Sequence, residues 1–435
     1  MAQKRIYLCL AHMSEEGFEQ KYIKEAFDTN WVVPLGPNVN GFEHDLEDFV
    51  TQSGNFKGHT EITENTEIPA KRVVALASGT SAVHLALIAC GVGPGDEVLV
   101  QSFTFCASSH PITYLGATPV FIDSEKDTWN MDPELLEEAI KDRIVKTGKK
   151  PKAIVPVALY GMPYQIDKIM EIANKYDIPV VEDAAEGFGS RFNGQVLGTF
   201  GKYGVLSFNG NKMITTSGGG ALITENEDEW REIMMYATQY RESYPYYQHE
   251  KIGYNYRMSN ICAGIGRGQM TVVNNHIAHH KHVQKMYEEL LADVQGVYVH
   301  SQPPTGEYDS NYWLCTITID SELKVKGQEN AYKTIVKGAV GGAAGVIHAA
   351  TSATTDCQPN DNVEALRVAL DHAGIEARPV WKPMHKQPCY KDEPAYVNGV
   401  SEEIFKVGMC LPAGPYVTDE DVKYIVATIK AAIST

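Results

Sequence analysis

No window of this sequence approaches the roughly 18 consecutive apolar residues that a membrane-spanning helix requires. The opening MAQKRIYLCLAHMSEEG interrupts its apolar run too soon to read as a signal peptide. A basic run is also missing: the formal net charge is -17. That balance argues against binding a nucleic-acid backbone, and an anionic ligand would need a locally positive pocket. Paired cysteines are absent too. The eight cysteines, at positions 9, 90, 106, 262, 315, 357, 389 and 410, include no CxxC and no tight cluster. Scattered thiols in a reducing compartment account for them better than disulfides or zinc ligands. A cytoplasmic protein without membrane, metal or nucleic-acid partners is the expectation.

What is present is enough for a sizeable core: 435 residues, 43% of them hydrophobic, suit one large and one small domain. Residues 14–30 space Phe18, Tyr22, Ile23 and Phe27 along one face of a helix, with Ser14 as its cap. A PLGP turn at 34–37 leads to a second helix marked by Phe42, Leu46 and Phe49, and the polar stretch 52–68 reads as an exposed connection. From Lys71 onward, short apolar strands alternate with helices. The strands are RVVALA, EVLVQ, TPVFID, KAIVPVALY and IPVVED, and Asp132 with Pro133 marks one helix start. Continuous apolar strands joined by crossover helices mean a parallel sheet covered on both faces, and such sheets gather ligands at the carboxyl ends of their strands.

That rule selects Ser78, Gly79, Thr80 and Ser81, then Phe105, then Asp183 with Glu186, then Ser207 and Lys212. Any one of them has an ordinary explanation: Ser and Thr cap helices, and most lysines are solvated. Lys212 is unusual because its loop, FNGNKMITTSGGG, lies between two buried-type strands, YGVLSF and ALIT, and ends in Gly218, Gly219 and Gly220, which permit close backbone approach. A lysine in a partly desolvated turn can attack a carbonyl. An anion cradle at a helix start, a flat aromatic, a buried carboxylate and a lysine together describe a site for pyridoxal phosphate.

The ordered motifs SGTSAVHLAL, SFTFCAS, VVEDAAEGFGS, LSFNGNKMITTSGGGAL, GYNYRMSN, NYWLCTITID and GIEARPVWKPMHKQP resemble the DegT/DnrJ/EryC1/StrS family of sugar aminotransferases. The resemblance runs from about Ser14 to the C-terminus. It implies the aspartate aminotransferase fold (fold type I): a three-layer α/β/α large domain with a mostly parallel sheet over 1–275, including the N-terminal helices, and a smaller α+β domain over 276–435. It implies Lys212 as the Schiff-base lysine, Asp183 as the partner of the pyridinium nitrogen, and Glu186 near the ring hydroxyl. Gly79, Thr80, Ser81 and Ser207 fall at phosphate-binding positions, Phe105 at the ring-stacking position, and Asn255 at a position that crosses a homodimer interface to the partner's phosphate. The family also contains dehydratases with histidine in place of the lysine, so Lys212 favours transamination, with glutamate as the usual amino donor and a nucleotide-linked 4-keto-6-deoxy sugar as acceptor. A dehydratase or lyase, or a non-catalytic regulatory homologue, are the competing readings.

Beyond 275, a helix with Val283, Met286, Tyr287, Leu290 and Leu291 on one face precedes the strand YWLCTITID, a helix at 362–373 and a last helix opened by a Thr418–Asp421 capping box. The loop ARPVWKPMHKQP collects Arg378, Lys382, His385 and Lys386 around Trp381, a local positive patch in an acidic chain, which makes Lys382 and His385 candidate contacts for an anionic nucleotide sugar. QYRESYPYYQHEKIGYNYR, at 239–257, is expected to reach a partner's site. The Ala/Gly/Thr-rich stretch 336–362 is longer than the family's usual connection there.

Overall fold

The structure is a computed structural model that describes residues 5–51, 71–332 and 357–433. The readings of 52–68 and of most of 336–362 lie outside these residues. Seven strands build the large unit: β1 (Arg72–Leu76), β2 (Glu97–Gln101), β3 (Thr118–Ile122), β4 (Ala153–Val155), β5 (Val181–Asp183), β6 (Tyr203–Ser207) and β7 (Gly220–Thr224). One group runs parallel in the order β3-β2-β4. A second runs β5-β6-β7-β1, with β5 and β6 parallel and β7 antiparallel to both neighbours. Parallel bridges Ile154–Val180 and Val157–Asp183 join the groups across β4 and β5. The strands are buried almost throughout, which explains why they read as continuous apolar runs and not as alternating ones.

The topology brings the selected residues to one edge. In the β6–β7 hairpin Ser207 pairs with Gly220, and Gly220 in turn pairs with Leu76 at the end of β1. The helix Gly79–Ala89 starts directly after β1, and β5 ends at Asp183 in the same direction as β6. Two of the three glycines after Lys212 now have a measurable reason, while a Cβ on Gly218 would meet nothing. A Cβ on Gly220 would collide with the backbone of Ser78 and Gly79, and one on Gly219 with the Thr216 side chain. The close approach is therefore internal: the strand end presses against the turn that opens the helix.

A second buried cluster gathers Val283, Tyr287 and Leu291 from the helix Val273–Leu291 with Cys315, Ile317 and Ile319, Leu366 and Leu370, and Val422, Ile425 and Ile429. Its antiparallel sheet orders Val297–Val299, Cys315–Ile319, Gly408–Leu411 and Arg378–Pro379. The large unit plus this smaller α+β unit is the fold that the sequence implied. Two exchanges tie the units together. Ile6 bridges Ile375 in the smaller core, and Ala395–Tyr396 adds a parallel strand to β3.

Local signals hold where side chains alone decide them. Asp132 caps Pro133–Thr147, its Oδ1 accepting the amide of Glu134 at 2.8 Å, and Thr418 and Asp421 form the reciprocal capping box of Asp419–Ala432. The first helix differs. It spans Phe18–Asp28, and it buries Glu19, Tyr22 and Ala26 while Phe27 is exposed. The neighbouring helix Asn260–Met270 explains this, because a Cβ on its Gly268 would meet the backbone of Glu19. Two backbones this close leave no space for a phenyl group. Among the described residues, no helix is long and apolar enough to cross a membrane.

Candidate active site

A cavity of about 290 Å³ opens at that sheet edge. Its wall includes Ser78, Gly79, Thr80, Phe105, Asp183, Glu186, Ser207 and Lys212, eight of the nine residues selected at the strand ends from sequence. Ser81 stands one position behind the wall, donating its amide to Ser78 Oγ at 3.0 Å. That bond caps the helix start and leaves Gly79 and Thr80 on the cavity side, as an anion cradle requires.

The charges are arranged with little solvent around them. Asp183 is 5% exposed; its Oδ2 accepts from Ser108 Oγ at 2.6 Å and its Oδ1 from the amide of Ala185 at 3.1 Å. Burial raises the Asp183 carboxyl above its ordinary range, and these two hydrogen bonds and the Lys212 charge oppose that shift. Glu186, equally buried, is also raised by burial; the Lys212 charge, then the amide of Tyr160 at 2.7 Å, oppose it. Lys212 Nζ lies 3.3 Å from Glu186 Oε1, with its side chain only 12% exposed. It is thus not a solvated surface lysine. Two buried carboxylates against one lysine leave the pocket short of positive charge, a deficit that a cationic ring nitrogen beside Asp183 would fill.

Several wall residues escaped the sequence reading. Trp313 places its ring 4.1 Å from Lys212 Nζ, and its Nε1 donates to the Asn211 carbonyl at 2.7 Å. Trp381 faces Phe105, with ring centroids 5.4 Å apart at 52°, and its buried Nε1 has no hydrogen-bond partner. Phe105 itself is 49% exposed, at the rim of the cavity. Tyr160 joins the groups: its amide holds Glu186 and its hydroxyl accepts the Trp381 amide at 2.7 Å. NYW and ARPVW were visible as motifs, but only long-range packing shows that both tryptophans line the cavity.

The chain matches the sequence profile of the DegT/DnrJ/EryC1/StrS aminotransferase family over residues 13–341 and 328–430. The chain belongs to that family. It is 39% identical over 422 residues to the putative pyridoxal phosphate-dependent aminotransferase EpsN of Bacillus subtilis, covering 96% of this chain and 93% of that one. It is 32% identical over 415 residues to the GDP-perosamine synthase of Caulobacter vibrioides, covering 95% of both. Among solved structures, a DegT/DnrJ/EryC1/StrS aminotransferase from Brucella abortus superposes with a TM-score of 0.77 at 25% identity, over 96% of this chain and 95% of that one. The protein is a pyridoxal phosphate-dependent transaminase of this family, and the cavity has the groups such a cofactor needs: a helix-start cradle, a buried carboxylate and a reachable lysine.

Not every residue selected as a family position lies on the wall. Asn255 is exposed, in an isolated antiparallel bridge with Thr238. Lys382 follows Trp381 but is not part of the wall, and its carbonyl accepts from Gln387 Nε2 at 3.3 Å. His385 turns inward, with Nδ1 2.6 Å from Ser102 Oγ and Nε2 3.3 Å from Glu402 Oε1. Lys386 Nζ shares that carboxylate at 3.1 Å, so Glu402 neutralises part of the basic loop.

Proposed function

We propose that this family member transfers an amino group from glutamate to the keto carbon of a nucleotide-linked 4-keto-6-deoxy sugar, within amino-sugar or surface-polysaccharide biosynthesis. The observation that carries this reading is a lysine, and not a histidine, at position 212, beside Glu186 and in the same cavity as buried Asp183. The full-length similarity to a GDP-perosamine synthase supports the nucleotide-sugar class. When bound, the cofactor supplies an electron sink for the substrate carbon. The chain's own contribution is placement: Gly79, Thr80 and Ser207 for the phosphate, Asp183 for the ring nitrogen, Phe105 for the ring face. Lys212 Nζ would bond the cofactor and, as a free amine once displaced, would hold and move the proton of the reacting carbon. Lys382 beside Trp381 is the cation assigned to the nucleotide, and His385, tied to Ser102 and Glu402, shapes the loop that presents it.

Cofactor-loaded protein supplied with glutamate should form 2-oxoglutarate, and a panel of nucleotide keto sugars should yield an amino sugar from at least one 4-keto member. Turnover of simple 2-keto acids with every nucleotide sugar inert would remove the substrate assignment. Loss of water without amine formation would favour the dehydratase reading.

The same proposal includes a homodimer in which Asn255 completes the neighbouring site. Its exposed position off the wall of its own cavity supports this, as do the exposed Tyr244, Tyr246, Tyr247 and Ile252 in the same segment. Mixing inactive Lys212→Ala and Asn255→Ala chains at equal amounts should recover about a quarter of wild-type activity, since half the random dimers carry one intact site. If Asn255 serves its own subunit, no intact site forms and nothing is recovered.

A further inference from the structure

Trp313 lies just before Cys315–Ile319, a strand of the smaller sheet, yet its ring packs in the larger core and against Lys212. A strap at 310–313 explains how it arrives there. Asn311 Nδ2 donates to the carbonyls of Glu186 and Phe188, both at 2.9 Å, and Asn311 Oδ1 accepts the Trp313 amide at 2.8 Å. Ser310 Oγ donates to the Gly161 carbonyl at 3.0 Å, and Tyr312 between them takes a left-handed φ of 49°. At Gly161, itself at φ 93°, any Cβ would collide with Asn311. The indole N–H then anchors to Asn211, the residue before Lys212. Strap, Glu186 loop and lysine loop are therefore pinned to one another, and the tryptophan ring is almost fully buried at 1% exposure.

We propose that Trp313 is a positioning residue that, with Glu186, docks Lys212 Nζ once it is protonated, in the part of the cycle in which that lysine is not bonded to the cofactor. The geometry supplies both halves of the dock: the ring face 4.1 Å from Nζ and the Glu186 carboxylate 3.3 Å from it. An ammonium over an aromatic face is attracted by the ring quadrupole, more strongly when desolvated. The dock matters in the half of the cycle in which Lys212 is free. With the cofactor in place, Nζ as a free amine would take a proton from the substrate carbon, hold it as an ammonium and release it again, so no charge would be gained or lost over the exchange. Holding the ammonium at a fixed point preserves the geometry for the second transfer.

This inference rests on the assignment of Lys212 as the reacting amine, and the experiment separates the two. Borohydride treatment of the pyridoxal phosphate form, followed by mass spectrometry, tests the parent assignment: the cofactor should be fixed to Lys212. The dock is tested on the pyridoxamine phosphate form, where Lys212 is free, by trace labelling with acetic anhydride at constant pH. Trp313→Leu should speed labelling of Lys212 by roughly 3- to 30-fold relative to surface lysines in the same sample. Trp313→Phe, which retains a ring face, should stay nearer wild type. Placing fluorinated tryptophans at position 313 weakens the ring quadrupole without changing its shape, so labelling should climb with each added fluorine. This series also covers the case in which the leucine variant does not fold. A flat fluorination series would overturn the proposal even if the cofactor is fixed to Lys212, and fixation elsewhere would remove its basis.

Discussion

Replacing Lys212 with alanine should abolish amino transfer while leaving the fold intact. In the proposed assignment the lysine has two roles, as the covalent anchor of the cofactor and as the acid–base group for the reacting carbon. Removing the proton-transfer role alone costs roughly 10²–10⁴-fold, and losing both should take the rate to the upper end of that range or beyond. The fold should tolerate the change because the lysine belongs to a loop and not to the packed strands. Its amide bond to the Asn209 carbonyl, at 2.9 Å, survives truncation. One local consequence follows from electrostatics. Glu186 is buried and its carboxyl is already raised; without the Lys212 charge it should rise further. Cofactor absorbance, mass spectrometry after borohydride treatment and amino-sugar formation check the result. A variant that kept turnover within tenfold of wild type would refute the role of Lys212 and revive the non-catalytic reading.

The two sides of the site differed in how far the sequence could reveal them. Asp183, Ser207 and Gly79 were legible because a parallel strand ends where its apolar run ends, and the sheet does the rest. Lys212 was legible because it interrupts a hairpin between two buried strands. Trp313, Trp381 and Ser108 were not, since nothing local distinguishes a wall tryptophan from a core one. Trp313 reaches the lysine through Asn311, more than a hundred residues along the chain from the carbonyls it holds. His385 shows what the sequence leaves out. Counting cations near Trp381 suggested a substrate contact, but the ring's nearest hydrogen-bonding partners are Ser102 and Glu402, which only the fold brings close. Phe27 was misassigned for a related reason: helix periodicity identifies an apolar stripe but not which stripe the neighbouring glycine-rich helix will cover.

Asp183→Asn should give the second largest loss, about 10²–10³-fold in kcat, the range typical of removing one preorganised electrostatic partner from a water-poor site. The substitution isolates charge from shape. The Asp183 carboxylate takes hydrogen bonds from Ser108 Oγ and the Ala185 amide, and Ser108 Oγ also lies 2.8 Å from Thr104 Oγ1, where either hydroxyl can donate. An asparagine can keep its oxygen on the Ala185 amide and turn its NH₂ toward Ser108, because the Thr104–Ser108 pair can reverse its direction. The cavity should therefore keep its form and the cofactor should still bind. What disappears is the negative charge that, in the proposed assignment, keeps a ring nitrogen protonated, and with it the electron demand on the reacting carbon. Burial already disfavours the charged form of Asp183, so the native carboxylate depends on a cation beside it, and the ring nitrogen is the cation proposed for that place. Stopped-flow measurement of the glutamate half-reaction, with thermal melts and cofactor titration alongside, tests this directly. A full-rate asparagine variant would separate Asp183 from the chemistry, whereas a slow variant with unchanged melting temperature and cofactor content would confine its role to charge.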